Sequence, residues 1–450
     1  MSSQAATETR TARPIGLIDR MARSLLTRRL KGLTRGEIAF DDSHGVTRFG
    51  EGADLHCSIR VHGPRFFREA VLGGKLSVAE TYVRGDWDCD NLTSLFRIFI
   101  RNTDTYHALD RGLARIAGMT HRMFHWLRDN TPSGSRKNIG AHYDLGNDFF
   151  RLWLDETLAY SSGIFTSPDS TLYDASVEKI DRCCRKLDLN PDDHLVEIGS
   201  GWGGMAVHAA SEYGCRVTTT TISQEQYDAT QGRVNAMGLG NRVSLLKQDY
   251  RDLEGRFDKL VSIEMIEAVG HRYLDTYFRK CSELLKPDGS MVVQAIVMPE
   301  RRYALYTQNV DFIQRYIFPG GCLPSMAAIL KSVGKTSDLR FVHAEDFAPH
   351  YAETLRHWRK SFVERLDEVR GLGYSNEFIR LWTYYLCYCE AAFEERHIGV
   401  MQIQFDKPQC RRDPLRIGQR AAANEKLSNS VPHDEAWDNN DAVCETGVCS

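Results

Sequence analysis

Apolar residues follow two rhythms along this chain. Between Arg13 and Lys31, Ile15, Ile18, Met21, Ala22, Leu25 and Leu26 recur at helical spacing, while Arg20, Arg23, Arg28, Arg29 and Lys31 supply charge. The pattern predicts a basic amphipathic helix, able to lie on an anionic membrane surface or to dock on its own protein. From 35 to 100, short strand-like pieces are punctuated by Gly45, Gly50, Gly52, Gly63, Gly73, Gly74 and Gly85 and end in a helical stretch, which predicts a small α+β domain. Residues 101–137 are polar and basic and read as a linker. Near 138 the rhythm changes. An aromatic helical part with Tyr143, Phe149, Phe150 and Trp153 leads into short apolar strands that alternate with helices: HLVEIG, CRVTTTTI, VSLLK, KLVSIEM and SMVVQAIVM. That alternation predicts a parallel sheet with crossover helices, with Pro287, Asp288 and Gly289 turning into the last of these strands. An aromatic insertion (301–330), helical runs over 350–370 and 375–396, and an apolar VMQIQF segment follow. The expected organisation is an N-terminal basic segment (1–34, disordered over 1–10), an N-terminal α+β domain (35–130), a catalytic domain (131–410) and a polar, disordered tail (411–450).

Composition narrows the class. The 450 residues are too many for one small domain, and 42% hydrophobic with 26% charged residues is enough for a packed core. The net charge of −3 gives no basic field for nucleic acid. No apolar run approaches the roughly 20 residues of a membrane span, and Met1 to Arg13 lacks the apolar centre of a secretory signal. A cytoplasmic protein, peripheral at the inner membrane surface, is expected. The twelve cysteines show no paired zinc spacing, so no metal is expected and the thiols read as reduced; Cys183 and Cys184 are adjacent and cannot easily bridge, and Cys444 with Cys449 in the tail read as incidental.

The first strand of the alternating region runs from Glu197-Ile198-Gly199 into GSGWGG. Gly199, Gly201 and Gly203 permit a tight turn with backbone close to a ligand. Read literally, Gly199, Gly201 and Gly204 satisfy GxGxxG, but a dinucleotide fold wants an acid about 20 residues on, where Thr218 to Thr221 stand. An acid before the loop and none after it favours S-adenosylmethionine (SAM) over a dinucleotide.

HYDLGNDFF (142–150), YSSGIF (160–165), EIGSGWGG (197–204), TISQEQ (221–226), QDYRDL (248–253), EAVG (267–270) and YIFPGGCLPS (316–325), in this order, resemble the cyclopropane fatty acid synthases, including the mycolic acid methyltransferase branch. Residues 64–95, with GKLSVAETYVRGDW, resemble the N-terminal domain of the bacterial phospholipid synthases, which favours phospholipid acyl chains over carrier-bound ones. The resemblance implies an α/β fold: a Rossmann-like, doubly wound SAM-dependent methyltransferase sheet with a smaller N-terminal α+β domain. It also implies cofactor contacts. Tyr160 and Ser161 match the pair that closes over SAM, Gly199, Gly201 and Gly203 line it, and Thr221, Ile222 and Gln226 follow the second strand, with Gln226 in the ribose role. Tyr250 with Arg251 matches the position flanking the adenine. In the family a bound bicarbonate acts as base, held by a glutamate, a tyrosine, a histidine, a cysteine and backbone. The glutamate position is Glu267 and the tyrosine Tyr351; the histidine position holds Gln294, the cysteine position Ser162, and backbone near Ile296 completes the set.

An alkene is a weak nucleophile, so methyl transfer to it needs alignment rather than nucleophile activation. The product is a carbocation on the acyl chain, which needs a dry pocket and tolerates aromatic faces, each worth roughly 0.5–2 kcal/mol. Phe149, Phe150, Phe165, Phe312, Tyr316, Phe318, Tyr351, Trp358 and Tyr388 are candidates, of which two or three are expected to face substrate. Loss of a proton from the added methyl closes a cyclopropane. Gln and Ser can hydrogen-bond an oxyanion but cannot carry a histidine's charge, so a methyl- or methylene-branched chain is the alternative product. Glu264 is either an assisting acid or an exposed acid at a strand end; His142, His271 and His350 read as structural or exposed rather than as bases. The partner is a bilayer of unsaturated phospholipid, and a homodimer follows from the resemblance only. A methyltransferase of soluble small molecules is disfavoured by the basic helix, the extra domain and the aromatic insertion. A lipid binder without catalysis is disfavoured by the glycine loop, Gln226 and Glu267.

Overall fold

The structure is a computed structural model and describes residues 16–52, 54–103 and 145–412. The start of the chain, most of the linker, the proposed boundary at 130/131, His142, Tyr143 and the tail with Cys444 and Cys449 lie outside the described residues. The ten cysteines within them are free.

The N-terminal part holds α1 (Leu17–Leu30), β1 (Glu37–Asp42), β2 (Gly45–Phe49), β3 (His56–Val61), α2 (Arg65–Val83), β4 (Trp87–Cys89) and α3 (Leu92–Arg101). The strands form a sheet in the order β2-β1-β3-β4, with β1 and β3 parallel and both outer pairs antiparallel. Alternation decides the faces: Cys57, Ile59 and Val61 of β3 are buried and their neighbours exposed. The amphipathic helix forms as α1 and docks on α2 through Ala22, Leu26 and Leu30, while Arg23 reaches Asp42 at 2.5 Å.

The larger part follows. It comprises α4 (Asn147–Arg151), α5 (Leu172–Leu187), β5 (His194–Ile198), α6 (Gly204–Glu212), β6 (Arg216–Thr221), α7 (Gln224–Ala236), β7 (Val243–Lys247), β8 (Phe257–Ile263), α8 (Ile266–Val269), α9 (Leu274–Leu284) and β9 (Leu285–Val297). Then come α10 (Glu300–Tyr306), α11 (Met326–Thr336), β10 (Arg340–Asp346), α12 (Ala348–Glu364), α13 (Leu366–Gly371), α14 (Asn376–Glu394) and β11 (Gly399–Asp406). The sheet order is β10-β11-β9-β8-β5-β6-β7. The five strands from β9 to the edge strand β7 are parallel, and β11 runs antiparallel between β9 and β10. The order reverses at β5, so the loops after β5 and β8 open a crevice at the carboxyl ends of the strands, where ligands bind in this class of sheet. The expected α/β, Rossmann-like sheet is present.

Several expectations shift. Pro287–Gly289 do not precede the last parallel strand; they lie inside β9 as an irregularity, since Phe257 pairs with Leu285 but Lys259 with Ser290. β10 is an added strand in a stretch with no apolar alternation to announce it. The 350–370 run breaks at Arg365 into α12 and α13, and the aromatic insertion contains a short π-helical turn, Ile313–Ile317. At the end of the described residues Arg412 grips Asp406 at 3.0 Å.

Both sheets belong to one compact unit ending at Arg412. The helix that joins them is α14. Arg380 donates to the Tyr82 and Trp87 carbonyls at 2.6 and 2.7 Å and to Asp88 at 2.8 Å, and lies 4.0 Å over the Tyr82 ring. Arg97 and Arg101 of α3 both reach Glu395. No helix among the described residues is long and apolar enough to cross a membrane.

Candidate active site

A cavity of about 1360 Å³ opens over the carboxyl ends of β5, β6, β8 and β9. Its first end is built mainly of backbone. Gly199, Gly201 and Gly203 have φ of 95, 50 and 84°, values that favour glycine, and they turn the chain from β5 into α6. A Cβ at Gly201 would meet no atom within 4 Å, so the loop leaves open space, whereas one at Gly203 would lie 2.8 Å from Thr230 Cγ2. Thr221 Oγ1 donates to Gln226 Oε1 at 2.8 Å, which leaves the amide's N–H end of Gln226 for a ligand hydroxyl. Tyr250 packs edge-on against Tyr277, and Arg251 is pinned by Asp249 at 2.7 Å. Glu197, at the end of β5, is buried, accepts from Thr219 Oγ1 at 2.6 Å and is pushed up to about 8 by burial. Tyr160 shares a 2.7 Å hydrogen bond with Tyr385, and buried Lys179 donates to Ser161 Oγ at 2.7 Å. The open glycine turn and the amide of Gln226 beside it fit SAM.

The second end is built from side chains, and its hub is Glu264. Rather than being exposed at a strand end, Glu264 is half-buried on the cavity wall, with both carboxylate oxygens hydrogen-bonded. Ser162 N–H donates to its Oε1 at 2.9 Å, Gln294 Nε2 to the same oxygen at 2.7 Å, and Tyr351 OH to Oε2 at 2.7 Å. Burial raises its pKa, against these three donors and the Lys179 charge. Its φ of 49° is unusual for a residue with a side chain and costs roughly 1–2 kcal/mol. Glu267 lies three residues on, in α8. The Ile296 N–H donates to its Oε1 at 2.5 Å, while Oε2 is buried with no partner. Burial, then the Glu264 charge, push Glu267 up to about 8.

Gln294 is oriented from behind. Its Oε1 accepts from Gln402 Nε2 at 3.0 Å, and Gln402 Oε1 accepts from Lys186 Nζ at 2.8 Å. Lysine only donates, so Lys186 fixes which end of each amide points forward. Glu345 accepts from Lys186 at 2.6 Å and closes the chain.

All four expected catalytic residues meet here, with two corrections. The Ser162 hydroxyl turns to the Gly163 carbonyl at 3.0 Å, so the residue contributes its N–H instead. The acid expected only to assist occupies the hub. All ten expected cofactor residues except Gly203 line the cavity, and Gly203 closes the same turn. Phe312, Phe318, Tyr351 and Tyr388 line it too, whereas Phe149, Phe150 and Trp358 are core and Tyr316 bonds Glu80. His350 accepts from Phe165 N–H at 3.0 Å and does not line the cavity. Sequence reasoning missed Lys179, Tyr384, Tyr385 and Phe393. The i, i+4 spacing of aromatics at 384, 385 and 388 was the available signal for the α14 residues.

The family model described as mycolic acid cyclopropane synthetase matches residues 131–403. The chain is 38% identical over 364 residues to "Tuberculostearic acid methyltransferase UfaA1" of Mycobacterium tuberculosis, covering 77% of this chain and 82% of that protein. It is 37% identical over 358 residues to "Cyclopropane-fatty-acyl-phospholipid synthase" of Escherichia coli, covering 78% and 87%. Among solved structures, mycolic acid cyclopropane synthase CmaA1 complexed with SAH and CTAB superposes with a TM-score of 0.57 at 30% identity, over 60% of this chain and 98% of that one.

Proposed function

This chain belongs to the mycolic acid cyclopropane synthetase family and is a SAM-dependent C-methyltransferase, and from that premise we propose that it transfers a one-carbon unit to the cis double bond of a phospholipid acyl chain at a bilayer surface. The observation that carries this reading is the half-buried Glu264–Glu267 pair, which lines the same cavity as the glycine turn and the aromatic side chains. SAM, when bound, supplies an electrophilic methyl group. The residues supply the rest. Phe312, Phe318, Tyr385, Tyr388 and Phe393 line the cavity; they exclude water from a carbocation and turn electron-rich faces to it. Glu267 Oε2, the buried oxygen with no donor, takes the proton that the acyl cation must lose.

Bicarbonate does not fit this donor set. Gln294 Nε2 and the Tyr351 hydroxyl, which the resemblance assigns to that anion, already hold the Glu264 carboxylate, as does Ser162 N–H. Glu264 is the protein's own anion in that place, and no step here needs an external one. The proton can come from the added methyl, which closes a cyclopropane, or from a neighbouring chain carbon, which leaves a methyl branch beside an in-chain alkene. A methylene branch forms if a hydride first shifts from the methyl-bearing carbon to the cation and the methyl then loses the proton. Ring formation is the first reading. The branched product is favoured by one observation, the replacement of an exchangeable anion by a fixed carboxylate. The test is mass spectrometry and proton NMR of cis-unsaturated phospholipid vesicles incubated with enzyme and SAM. One added CH2 with the alkene lost gives the ring, and one added CH2 with an alkene retained gives the branch. No added carbon overturns the proposal.

A further inference from the structure

Gly73, Gly74 and Lys75 of α2 line the cavity, as do Arg301, Leu305 and Asn309, and the last three are exposed, so the cavity is reached from solvent past them. α2 is broken at this point, since Gly74 leaves helical geometry at φ 63° and ψ −148°. Beside the break stands an unusual surface. α1 packs on α2 by one stripe only and turns a second apolar stripe outward: Leu17 is 68% exposed, Ile18 64%, Met21 67% and Leu25 38%. Leu72, immediately before the break, and Leu305 on the cavity lining are 44% and 59% exposed. Arg20 and Arg28 are exposed on α1. A helix that is apolar on two faces has a second partner, and its flanking cations select an anionic one.

We propose that the outer face of α1, with Leu72 and Leu305, docks on an anionic phospholipid bilayer, and that lipid enters the cavity acyl chain first through the break at Gly73–Gly74, leaving its phosphate against Lys75 and Arg301. This rests on the phospholipid reading above. Its physical sense is that an acyl chain passing directly from leaflet to cavity never meets water. Each Lys or Arg held near an anionic leaflet adds to the attraction.

The experiment uses the full chain and vesicles of unsaturated phospholipid with and without anionic lipid, with partition read by sedimentation. Ile18→Ser combined with Met21→Ser is expected to weaken partition into anionic vesicles by about tenfold or more, since each lost apolar side chain is worth on the order of 1.4 kcal/mol or above. SAM affinity, which reports the fold, stays unchanged. Lys75→Glu combined with Arg301→Glu is expected to raise KM for vesicle phospholipid several-fold. Unchanged partition in the first variant, or unchanged KM in the second, overturns the corresponding half of the proposal. A fall in melting temperature of the first variant without lipid, or loss of a dimer by sedimentation velocity, would show that protein covers the face and would overturn it too. Carbon transfer is scored separately by mass spectrometry, so a chain that binds vesicles and transfers nothing overturns the proposed reaction and leaves the docking result standing.

Discussion

The two ends of the cavity solve different problems with different materials. The cofactor end is written in consecutive residues: a strand end, three glycines of positive φ, and a threonine that holds Gln226. The base end is assembled from residues 162, 264, 267, 294 and 351, contributed by four segments, and behind them Gln402 and Lys186. Backbone cradles are rigid because few conformations are open to them, and they tolerate side-chain change at their margins. Side-chain networks are rigid only when every donor and acceptor is matched, so a single substitution propagates. Damage at the cofactor end should therefore appear as lost affinity, and damage at the base end as lost turnover.

The largest effect tests that division directly. Glu267→Gln removes the unpartnered oxygen and is expected to lower kcat by about 10²–10⁴-fold, the usual contribution of a positioned base, with SAM affinity unchanged by calorimetry. Equal losses in both would dissolve the distinction between the two ends. The same residue sets a pH dependence. Its folded pKa is raised to about 8 from an ordinary 4.5, so turnover rises as pH rises through about 8, when the carboxylate ionises. Its contribution to stability has the opposite sign: it is fully present below 4.5 and is lost as pH rises through 8. Glu267→Gln should consequently lose less melting temperature than the parent between pH 6 and 9.

Glu264→Ala is expected to cost about 10–100-fold in kcat, less than loss of the base because it removes a fixed charge rather than the proton acceptor. It frees the Ser162, Gln294 and Tyr351 donors, so added bicarbonate or formate should restore part of the turnover. Absence of rescue would mean that those donors have no role beyond holding a side chain. Without the Glu264 charge, the second cause of the high Glu267 pKa, the limb of the pH profile should also move toward acid.

At the other end, Gly203→Ala forces a left-handed backbone on a residue with a Cβ and brings that Cβ to 2.8 Å from Thr230. SAM affinity should fall about tenfold, in keeping with roughly 1–2 kcal/mol of backbone strain. Turnover at saturating SAM should hardly change; a kcat loss as large as that of Glu264→Ala would refute the separation.

The same contrast explains what could be read in the sequence. The sheet, the glycine turn and Thr221–Gln226 are local patterns, and they stand where the spacing puts them. Glu264 was visible only as an acid ending a strand, because its three donors are 87 to 102 positions away for Tyr351 and Ser162 and 30 for Gln294. Nothing within SIEMIEAVG distinguishes a solvated carboxylate from a buried one. Lys179 stands on α5 among other charged residues, and its burial comes from the partners α5 meets, as does that of Lys186. The outward apolar stripe of α1 was legible as apolar spacing, but which half docks inward depends on where α2 lies.

The smallest expected effect probes how far the network reaches. Lys186 touches neither carboxylate, yet it is what makes Gln402 present its N–H to Gln294, and hence Gln294 present its own N–H to Glu264. Lys186→Met leaves both amides free to turn over. A turned Gln294 offers Glu264 a carbonyl oxygen, which favours the protonated acid. A neutral Glu264 no longer repels charge on Glu267, so the limb of the kcat profile should move from about 8 toward acid while kcat itself drops only about threefold to tenfold. Lys186→Arg, which keeps the donor charge, should leave the limb in place. A merely structural lysine would lower the melting temperature of the methionine variant without moving the limb, and that outcome would confine the base end to the residues that touch Glu264.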